Sequence, residues 1–421
     1  MSGGTMPSTL EALGPGPWTV ASAPGRIDFL NTHQDYKGLP VVPVAINLRT
    51  YLLAKPNHES VIRVKSLDLC DLGEPYEDEF KLGLNVMLHR GWFGNYLRGV
   101  VNVIAKRGDA SKLQGLDVLV RSEIPIGSGL SSSAALEVGF LTLLNHAFSL
   151  GYEKAEVADM AYRAETEEAG IPCGRLDQYG VTYGGVVKVE CRPPYEVEAL
   201  PFKDLTFTVI DSGIRHSTAE IHPYRQADID RGLKTLMENP AVPQSVKQRM
   251  GYRYYEPDWR QLSEEELKPY LDLLDEKARS RLVFTFRMQK STEVALKALR
   301  LEEVMEEEAT AALGAEAWSR VEASPAEERT YTLLGEVMNY QHSLLRCLYD
   351  VSLPELERIR ESAVEAGAYG AKLSGAGLGG SIIALAKNPD AGKRLLEAGL
   401  NAGGRQGWVS AAAQGASIEQ R

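Results

Sequence analysis

Hydrophobic positions in the first half of the chain alternate between short β-rich runs and longer stretches with helical periodicity. In chain order they predict a strand at 18–24, a polar loop at 25–38, a strand at 39–47, a helix at 95–106, a β-rich run at 116–124 and helices at 132–150 and 153–170. The segment 132–150 is apolar nearly all round, so we expect a helix that is buried on every side.

The second half of the chain is more helical and more charged. Helical periodicity covers 216–238, 263–300, 301–317, 330–348 and 354–366, and the chain then reads as strand, Gly-rich loop, strand and helix. The composition shifts near residue 200. This shift predicts a boundary between an N-terminal domain at 1–200 and a C-terminal domain at 201–421.

Composition excludes several classes of protein. The 421 residues are 44% hydrophobic and 24% charged, the proportions of an ordinary globular protein and not of a disordered one. The net charge of −11 argues against a general nucleic-acid binder and against binding to an anionic membrane surface. Four scattered cysteines form no C-x-x-C pair, and neither a signal peptide nor a membrane-spanning run is present. The expected location is therefore the cytoplasm.

A glycine- and serine-rich loop at 127–133 joins a strand to the buried helix. Two glycines allow successive backbone N–H groups to line one concave surface, and the N-terminus of the helix adds partial positive charge. Three serine hydroxyls can reach phosphate or Mg²⁺. The pattern indicates a phosphate-binding loop, although no Walker A sequence is present. An ordinary N-capped helix after a turn is the alternative, and the loop alone does not decide between them.

A second Gly-rich loop, SGAGLGG at 374–380, matches the G-x-G-x-x-G pattern of dinucleotide-binding proteins. A strand follows it where that motif requires a helix, so we reject dinucleotide binding. The loop is interpreted either as a backbone that approaches a bound ligand or as a tight hairpin.

Two polar segments, 23–36 and 169–180, carry side chains suited to binding a polyol. Arg26, His33 and Asp35 lie on the first, and Asp177 lies on the second. An aspartate beside an arginine can serve as a general base with a charge stabiliser. Each of these residues taken singly is more typical of a solvated loop. Glu165 falls on the apolar stripe of the helix at 153–170, which indicates a metal or cation partner or a structural salt bridge.

In combination and in this order, PGRIDFLNTHQDY, GSGLSSSAALE, AETEEAGIPCGRLDQ and LSGAGLGG resemble the GHMP sugar kinases, and specifically their galactokinase branch. The resemblance runs from about residue 18 to about residue 400. It implies a two-domain α+β fold, with an S5-like N-terminal domain, a ferredoxin-like C-terminal domain and the site between them. It also implies ATP-dependent phosphorylation of the anomeric hydroxyl of a small-molecule sugar, with Mg²⁺.

The resemblance assigns roles residue by residue. Asp177 matches the catalytic aspartate, and Arg26 matches the arginine beside it. Ser133 and Glu165 match the magnesium ligands, and Trp92 matches an aromatic side chain near adenine. Sugar contacts fall on Arg26, Thr32, His33, Asp35, Gly174, Asp177 and Tyr224. Nucleotide contacts fall on Gly127, Ser128, Gly129, Leu130, Ser131, Ser132 and Ser133, together with Gly375 and Gly377. The last two lie in the Gly-rich loop at 374–380, which is called the third loop below.

The chain departs from the family pattern at two places. The family loop usually reads G-E-H-T-D-Y, in which the glutamate contacts the C6 hydroxyl of the sugar, whereas this chain has Thr32 at that position. Arg175 stands where the family usually has an apolar residue. The expected substrate is galactose or a close galacto-configured sugar. A lost anion and a gained cation also fit a sugar with a C6 carboxylate, such as galacturonate.

Two further points stay open at the level of sequence. The sugar-contacting tyrosine that follows R-H-S in the family corresponds by spacing to Tyr224 or His222, and we favour Tyr224. Some galactokinase relatives are non-catalytic sensors of galactose and ATP. These lack the Ser-Ala step after the phosphate-loop serines, and this chain retains it at Ser133 and Ala134. An enzyme is therefore expected, and a monomer is favoured.

Overall fold

The computed structural model describes residues 18–215 and 218–419, with the side chains of 218–220 excepted. Within that part of the chain, two larger sheets and a two-stranded hairpin are covered by helices. The N-terminal sheet contains β1 (Thr19–Leu30), β2 (Val42–Pro56), β3 (Val61–Ser66), β4 (Glu77–Lys81), β5 (Leu116–Ser122) and the C-terminal β12 (Ser417–Ile418). Its strand order is β12-β1-β2-β5-β3-β4, antiparallel except for the β3–β5 pair.

The helices of the first half position most of the candidate residues. They are α1 (Leu67–Asp71), α2 (Gly94–Lys106), α3 (Ser132–Ala147), α4 (Lys154–Arg163) and α5 (Leu176–Tyr183). Helix α3 packs on β1 and β2 and contacts α2, α4 and α5. Being surrounded by these elements, it needs apolar residues on nearly every face, and the prediction of a buried helix there is confirmed.

The second half builds an antiparallel sheet of order β11-β8-β10-β9 from β8 (Thr206–Asp211), β9 (Gly370–Ser374), β10 (Ser381–Ala386) and β11 (Gln406–Ala411). The short strands β6 (Val187–Val189) and β7 (Val197–Ala199) form the hairpin that precedes it. The helices are α6 (Thr218–Glu238), α7 (Gln244–Lys247), α8 (Glu264–Leu267), α9 (Glu276–Leu299), α10 (Glu306–Leu313), α11 (Ala315–Ala323), α12 (Arg329–Cys347), α13 (Pro354–Glu365) and α14 (Pro389–Asn401).

The predicted α+β class is confirmed, and so is the strand–Gly loop–strand reading of β9, the third loop and β10. The division at residue 200 remains a proposal, and the strand β12 near the C-terminus pairs with β1 of the N-terminal sheet. The helix predicted at 263–300 is interrupted. A 3-10 turn at Lys268–Leu273 follows α8, and α9 begins after the cap formed by Asp275, whose side chain accepts the N–H of Ala278.

The prediction of a polar loop at 25–38 is wrong for the first half of that segment. Strand β1 continues to Leu30, with irregularities in its register between Pro24 and Arg26 and between Asp28 and Leu30. Bulges of this kind let a strand accommodate proline and glycine, the residues that suggested a loop. Arg26 and Asp28 therefore project from a buried strand. Among the described residues, no helix is long and apolar enough to span a membrane.

Candidate active site

A buried ion pair joins the two polar segments predicted to form the site. Arg26 donates from Nε and Nη2 to Oδ1 of Asp177, at 2.8 and 2.5 Å. Its third nitrogen, Nη1, donates to the carbonyl oxygen of Gly129 at 2.6 Å, in the predicted phosphate-binding loop at 127–133, which is called the phosphate loop below. The Arg26 side chain is 6% exposed and that of Asp177 is 25% exposed. The arginine is thus fixed between the aspartate and the phosphate loop. The aspartate also faces a cavity that is lined by the loops carrying His33, Gly174 and Gly375.

The helix that carries Asp177 is capped from another loop. No side chain at the N-cap of α5 bonds its first N–H groups, and instead the carboxyl of Asp35 accepts the backbone N–H of Leu176. A carboxylate at a helix N-terminus also interacts favourably with the helix dipole. Burial and the neighbouring carboxylates of Asp28 and Asp177 raise the pKa of Asp35 to about 7. Gly174 lies so close to Asp35 that no β-carbon fits between them.

His33 lies at one wall of the same cavity and packs against the rings of Tyr36, His222 and Tyr349. Its Nε2 lies 3.0 Å from the carbonyl oxygen of Ala376 in the third loop, and its ring centroid is 5.1 Å from that of His222. Burial and the nearby His222 lower the pKa of His33 well below its usual value. His33 has a positive φ of 65°, a conformation that is uncommon outside glycine and is typical of functional loops.

The preference for Tyr224 over His222 is corrected. His222 lines the cavity, whereas Tyr224 is 70% exposed to solvent. His222 and Tyr224 are two positions apart on helix α6, which turns their side chains about 200° apart, so the two cannot both face the cavity. The preceding His216 and Ser217 lie outside the described residues.

The phosphate loop and the third loop pack directly against each other. Ser131 adopts a left-handed conformation, with a φ of 62°, immediately before α3. The hydroxyl of Ser381 donates to the carbonyl oxygen of Ser128 at 2.8 Å. Gly129 packs so tightly that an added β-carbon would lie 3.1 Å from the carbonyl oxygen of Ser374, the residue before Gly375. This mutual packing keeps Gly127, Ser128, Gly129, Leu130, Ser131, Ser132 and Ser133 near Gly375 and Gly377.

Glu165 lies in a π-helical turn, Ala164–Glu168, that follows α4, and not in the regular helix predicted at 153–170. The wider turn places its carboxyl beside the hydroxyl of Ser133, the carboxyl of Glu137 and Nε2 of Gln178, which donates to it at 2.5 Å. Such turns are frequent at functional sites. Burial and the charge of Asp177 raise the pKa of Glu165 to about 7.

The donors around Glu165 fit a divalent cation. Among the described residues, no lysine or arginine forms an ion pair with Glu165 or Glu137, and Oε1 of Glu137 is buried without a hydrogen-bond partner. Carboxylate and hydroxyl oxygens are the ligands that Mg²⁺ prefers. The structural salt bridge considered for Glu165 is therefore not found in the described part of the chain, and the oxygen set fits Mg²⁺.

A second cavity opens on the other side of Ser133. It is lined by Trp92, Phe93, Tyr96 and Ile126 together with residues of β5 and α1. Trp92 donates from Nε1 to Asp78 at 3.0 Å, which fixes its ring at the cavity wall. Ser133 lines both cavities. Ser133 therefore connects the cavity beside Trp92 with the cavity that Asp177 lines.

Arg175 does not line the cavity that Asp177 faces. Its guanidinium donates to Asp159 at 2.6 Å and lies 3.6 Å from the ring centroid of Tyr195 and 4.1 Å from that of Tyr162. The sequence argument treated Arg175 as a cation beside the substrate because it is two residues from Asp177. At the start of helix α5, two positions turn a side chain by about 200°, which points it to the opposite face.

Among the titratable residues that line the cavity, the sequence analysis missed Asp28 and Cys173, and it ranked His222 below Tyr224. Asp28 was passed over because it was placed in a loop, although the two-residue spacing from Arg26 puts both side chains on one face of β1. Thr32, which was predicted, is 1% exposed and lines the same cavity.

Comparison with known proteins gives concordant results. The chain matches the models of the GHMP kinases N terminal domain at residues 95–185, the GHMP kinases C terminal domain at 323–405 and the galactokinase galactose-binding signature at 11–56. It is 32% identical to a galactokinase of Roseiflexus sp. (strain RS-1), over 88% of this chain and 83% of the relative. It is 30% identical to a galactokinase of Thermococcus kodakarensis, over 87% and 89% of the two chains.

Solved structures agree. The crystal structure of Lactococcus lactis galactokinase complexed with galactose superposes with a TM-score of 0.75 at 25% identity, covering 98% of this chain and 100% of that one. The mevalonate kinase of Methanococcus jannaschii superposes with a TM-score of 0.62 at 19% identity, covering 95% and 100%, and so shares the fold.

Proposed function

This chain belongs to the galactokinase branch of the GHMP kinases, and we propose that it transfers the γ-phosphoryl group of ATP to the anomeric hydroxyl of galactose. The observation that carries the proposal is the Arg26–Asp177 pair, held against the phosphate loop by the bond from Arg26 to Gly129. This pair stands where an acceptor hydroxyl and a transferred phosphoryl group would meet. The site lies between the proposed domains 1–200 and 201–421.

Phosphoryl transfer depends mainly on the positioning of the reacting groups and on neutralisation of the phosphate charge. Asp177 orients the anomeric hydroxyl and accepts its proton as the new oxygen–phosphorus bond forms. Arg26 orients Asp177 through two hydrogen bonds and balances negative charge that develops on the phosphoryl oxygens. An anomeric hydroxyl is more acidic than an ordinary alcohol, so a weak base suffices.

The nucleotide is assigned to the second cavity. Trp92 borders its adenine, and the phosphates run along 127–133 toward Asp177, with the N-terminus of α3 supplying N–H donors and partial positive charge. Ser133 and Glu165 would hold Mg²⁺, which neutralises phosphate charge when bound. The third loop, through Gly375 and Gly377, covers the phosphates from the opposite side.

The sugar is assigned to the first cavity, where Thr32, His33, Asp35, Gly174 and His222 surround the space beside Asp177. A galacturonate kinase is disfavoured, because the cation that would pair with a C6 carboxylate is engaged elsewhere, with Asp159 and two tyrosine rings. A non-catalytic sensor is disfavoured by the intact Ser133-Ala134 step and by the positioned base.

The test is a phosphorylation screen of purified protein with ATP, Mg²⁺ and a panel of aldoses and uronic acids, in which ADP and sugar phosphate are both quantified. We expect galactose to be the preferred acceptor, with one ADP formed per sugar phosphate. Asp177→Asn, included as a catalytic control, should still bind sugar. Turnover of galacturonate without turnover of galactose would refute the choice of substrate, and sugar binding without any turnover would favour the sensor.

A further inference from the structure

The edge of β1 that faces away from β2 changes its partners where the strand reaches the active site. Strand β12 pairs with this edge at Ala21 and Ser22, and in the part of the chain that the structure describes no strand pairs with it further along. The register with β2 is irregular on both sides of the segment 26–28. Bulges disrupt the ladder locally, so this segment depends on other contacts for its position.

The backbone groups of Arg26 and Asp28 face this outer edge. The two residues lie opposite Ala45 and Pro43 of β2, and residues two apart on a strand direct their N–H and C=O groups to the same side. The N–H of Arg26 donates to the carbonyl oxygen of Leu130 in the phosphate loop at 3.1 Å. Buried backbone groups cost free energy when they are left unpaired, so the groups of Asp28 need partners as well.

The C-terminal sheet supplies both partners of the Asp28 backbone. The hydroxyl oxygen of Ser374 accepts the N–H of Asp28 at 2.9 Å, and Nζ of Lys372 donates to its carbonyl oxygen at 2.7 Å. Lys372 and Ser374 are two positions apart on β9, so their side chains project from one face of that sheet, and both are fully buried. Nζ of Lys372 also donates to the hydroxyl of Thr32 at 2.8 Å. Two side chains of β9 thus take the place of a neighbouring strand.

We propose that Lys372 and Ser374 are positioning residues for phosphoryl transfer, which complete the edge of β1 at Asp28 and thereby hold Arg26 in place. Arg26 lies two positions before Asp28, and its side chain makes three hydrogen bonds, two to Asp177 and one to Gly129. The direction of that side chain follows the backbone of β1, so a shift of the strand would separate the arginine from both partners. The proposal rests on the proposed function for the reaction, whereas the contact between β9 and β1 is a feature of the fold.

The chain offers a matched control for Ser374 in Ser410, a second buried serine of the C-terminal sheet. The hydroxyl oxygen of Ser410 accepts the backbone N–H of Asn47 on β2 at 2.8 Å, so it too joins the two sheets, and neither serine lines the cavity that Asp177 faces. Ser374→Ala and Ser410→Ala should lower the melting temperature by similar amounts, because each leaves one backbone N–H without its acceptor.

The kinetics should separate the two variants. Ser374→Ala should lower kcat at least ~10-fold, since a misplacement of ~1 Å near reacting groups can cost ~10² in rate, and Ser410→Ala should keep the native kcat. Lys372→Met, which removes the donor and keeps the aliphatic stem, should act as Ser374→Ala does. In both variants kcat and kcat/KM should fall together, with KM for galactose and ATP within about 3-fold of native, as expected when only transition-state stabilisation is lost.

Hydrogen exchange followed by mass spectrometry gives a readout that needs no turnover. Peptides covering 24–30 should exchange faster in Ser374→Ala and Lys372→Met than in native protein, and at the native rate in Ser410→Ala. If Lys372→Met fails to fold, Ser374→Ala decides the outcome by itself.

A native kcat in Ser374→Ala, or a loss equal to that in Ser410→Ala, overturns the proposal. Faster exchange confined to the third loop overturns it as well, because Ser374 would then act on the neighbouring Gly375 and not on β1. If native protein transfers no phosphoryl group to any sugar while 24–30 responds as expected, the proposed function fails, and the contact that holds Arg26 stands.

Discussion

Replacing Gly174 by alanine tests how closely the loop that carries Asp35 is packed against the turn that precedes Asp177. A β-carbon built on Gly174 would lie 1.7 Å from Oδ2 of Asp35, 2.1 Å from its Cγ and 2.9 Å from its Cβ. Carbon and oxygen atoms in contact normally stand about 3.5 Å apart. The Asp35 carboxylate must therefore move by almost 2 Å, and rotation of the carboxylate alone does not free its own Cβ.

The displacement has a calculable consequence. Asp35 would lose the backbone N–H groups of Tyr36 and Leu176 that hold its carboxyl, and α5 would lose its cap. Overpacking of this kind costs about 1–3 kcal/mol of the free energy of unfolding. A misplacement of ~1 Å near reacting groups can cost ~10² in rate, so we expect kcat/KM for galactose to fall by about that factor.

Steady-state kinetics with an ADP-coupled assay and thermal unfolding provide the two readouts. The KM for ATP should change little, because the nucleotide cavity lies on the other side of Ser133. Gly83→Ala is the matched control, since a β-carbon there has no neighbour within 4 Å and the φ of Gly83 lies outside the left-handed range. A Gly174→Ala enzyme with native kinetics toward galactose would refute the packing argument.

Further predictions concern four other residues. Asp177→Asn should retain galactose binding and lose at least ~10² in kcat, the lower range for a general base, and near-native turnover would remove Asp177 from that role. Glu165→Gln should shift the Mg²⁺ titration of activity to higher concentration and leave galactose affinity unchanged; coincident titrations would make Glu165 structural. Trp92→Ala should raise the KM for ATP several-fold without changing the KM for galactose, and an effect on galactose alone would contradict the nucleotide assignment. The KM for galactose should rise as pH falls below about 7, because protonation of Asp35 removes a charged acceptor; the pH dependence should flatten in Asp35→Asn, and a native profile that is flat from pH 6 to 8 would exclude this titration.

The elements of the site were accessible to sequence reasoning where local chemistry dominates. The turn at 127–133, the buried helix α3 and the strand–loop–strand at 370–386 each follow from glycine placement and from periodicity. Glu165 was found because an isolated carboxylate interrupts an apolar stripe. These signals are carried by neighbours in the chain, so no tertiary information was needed.

What escaped prediction depends on contacts between distant segments. Asp28, a cavity residue that the sequence analysis missed, is held by Lys372, 344 positions later, whose Nζ donates to its backbone oxygen. The outward turn of Arg175 and the inward turn of His222 depend on where the helices α5 and α6 begin, and helix boundaries are the least certain part of a sequence reading. The π turn at Glu165 likewise depends on tertiary packing and left no periodic signal.

The central claim is that this chain phosphorylates the anomeric oxygen of galactose. The most direct measurement follows the reaction of galactose, ATP and Mg²⁺ with purified enzyme by ³¹P and ¹H NMR, where coupling between phosphorus and the anomeric proton identifies the product. We predict one molecule of galactose 1-phosphate for each ADP, abolished to background by Asp177→Asn. Phosphate on another carbon, or ADP released without any sugar phosphate, would contradict the account.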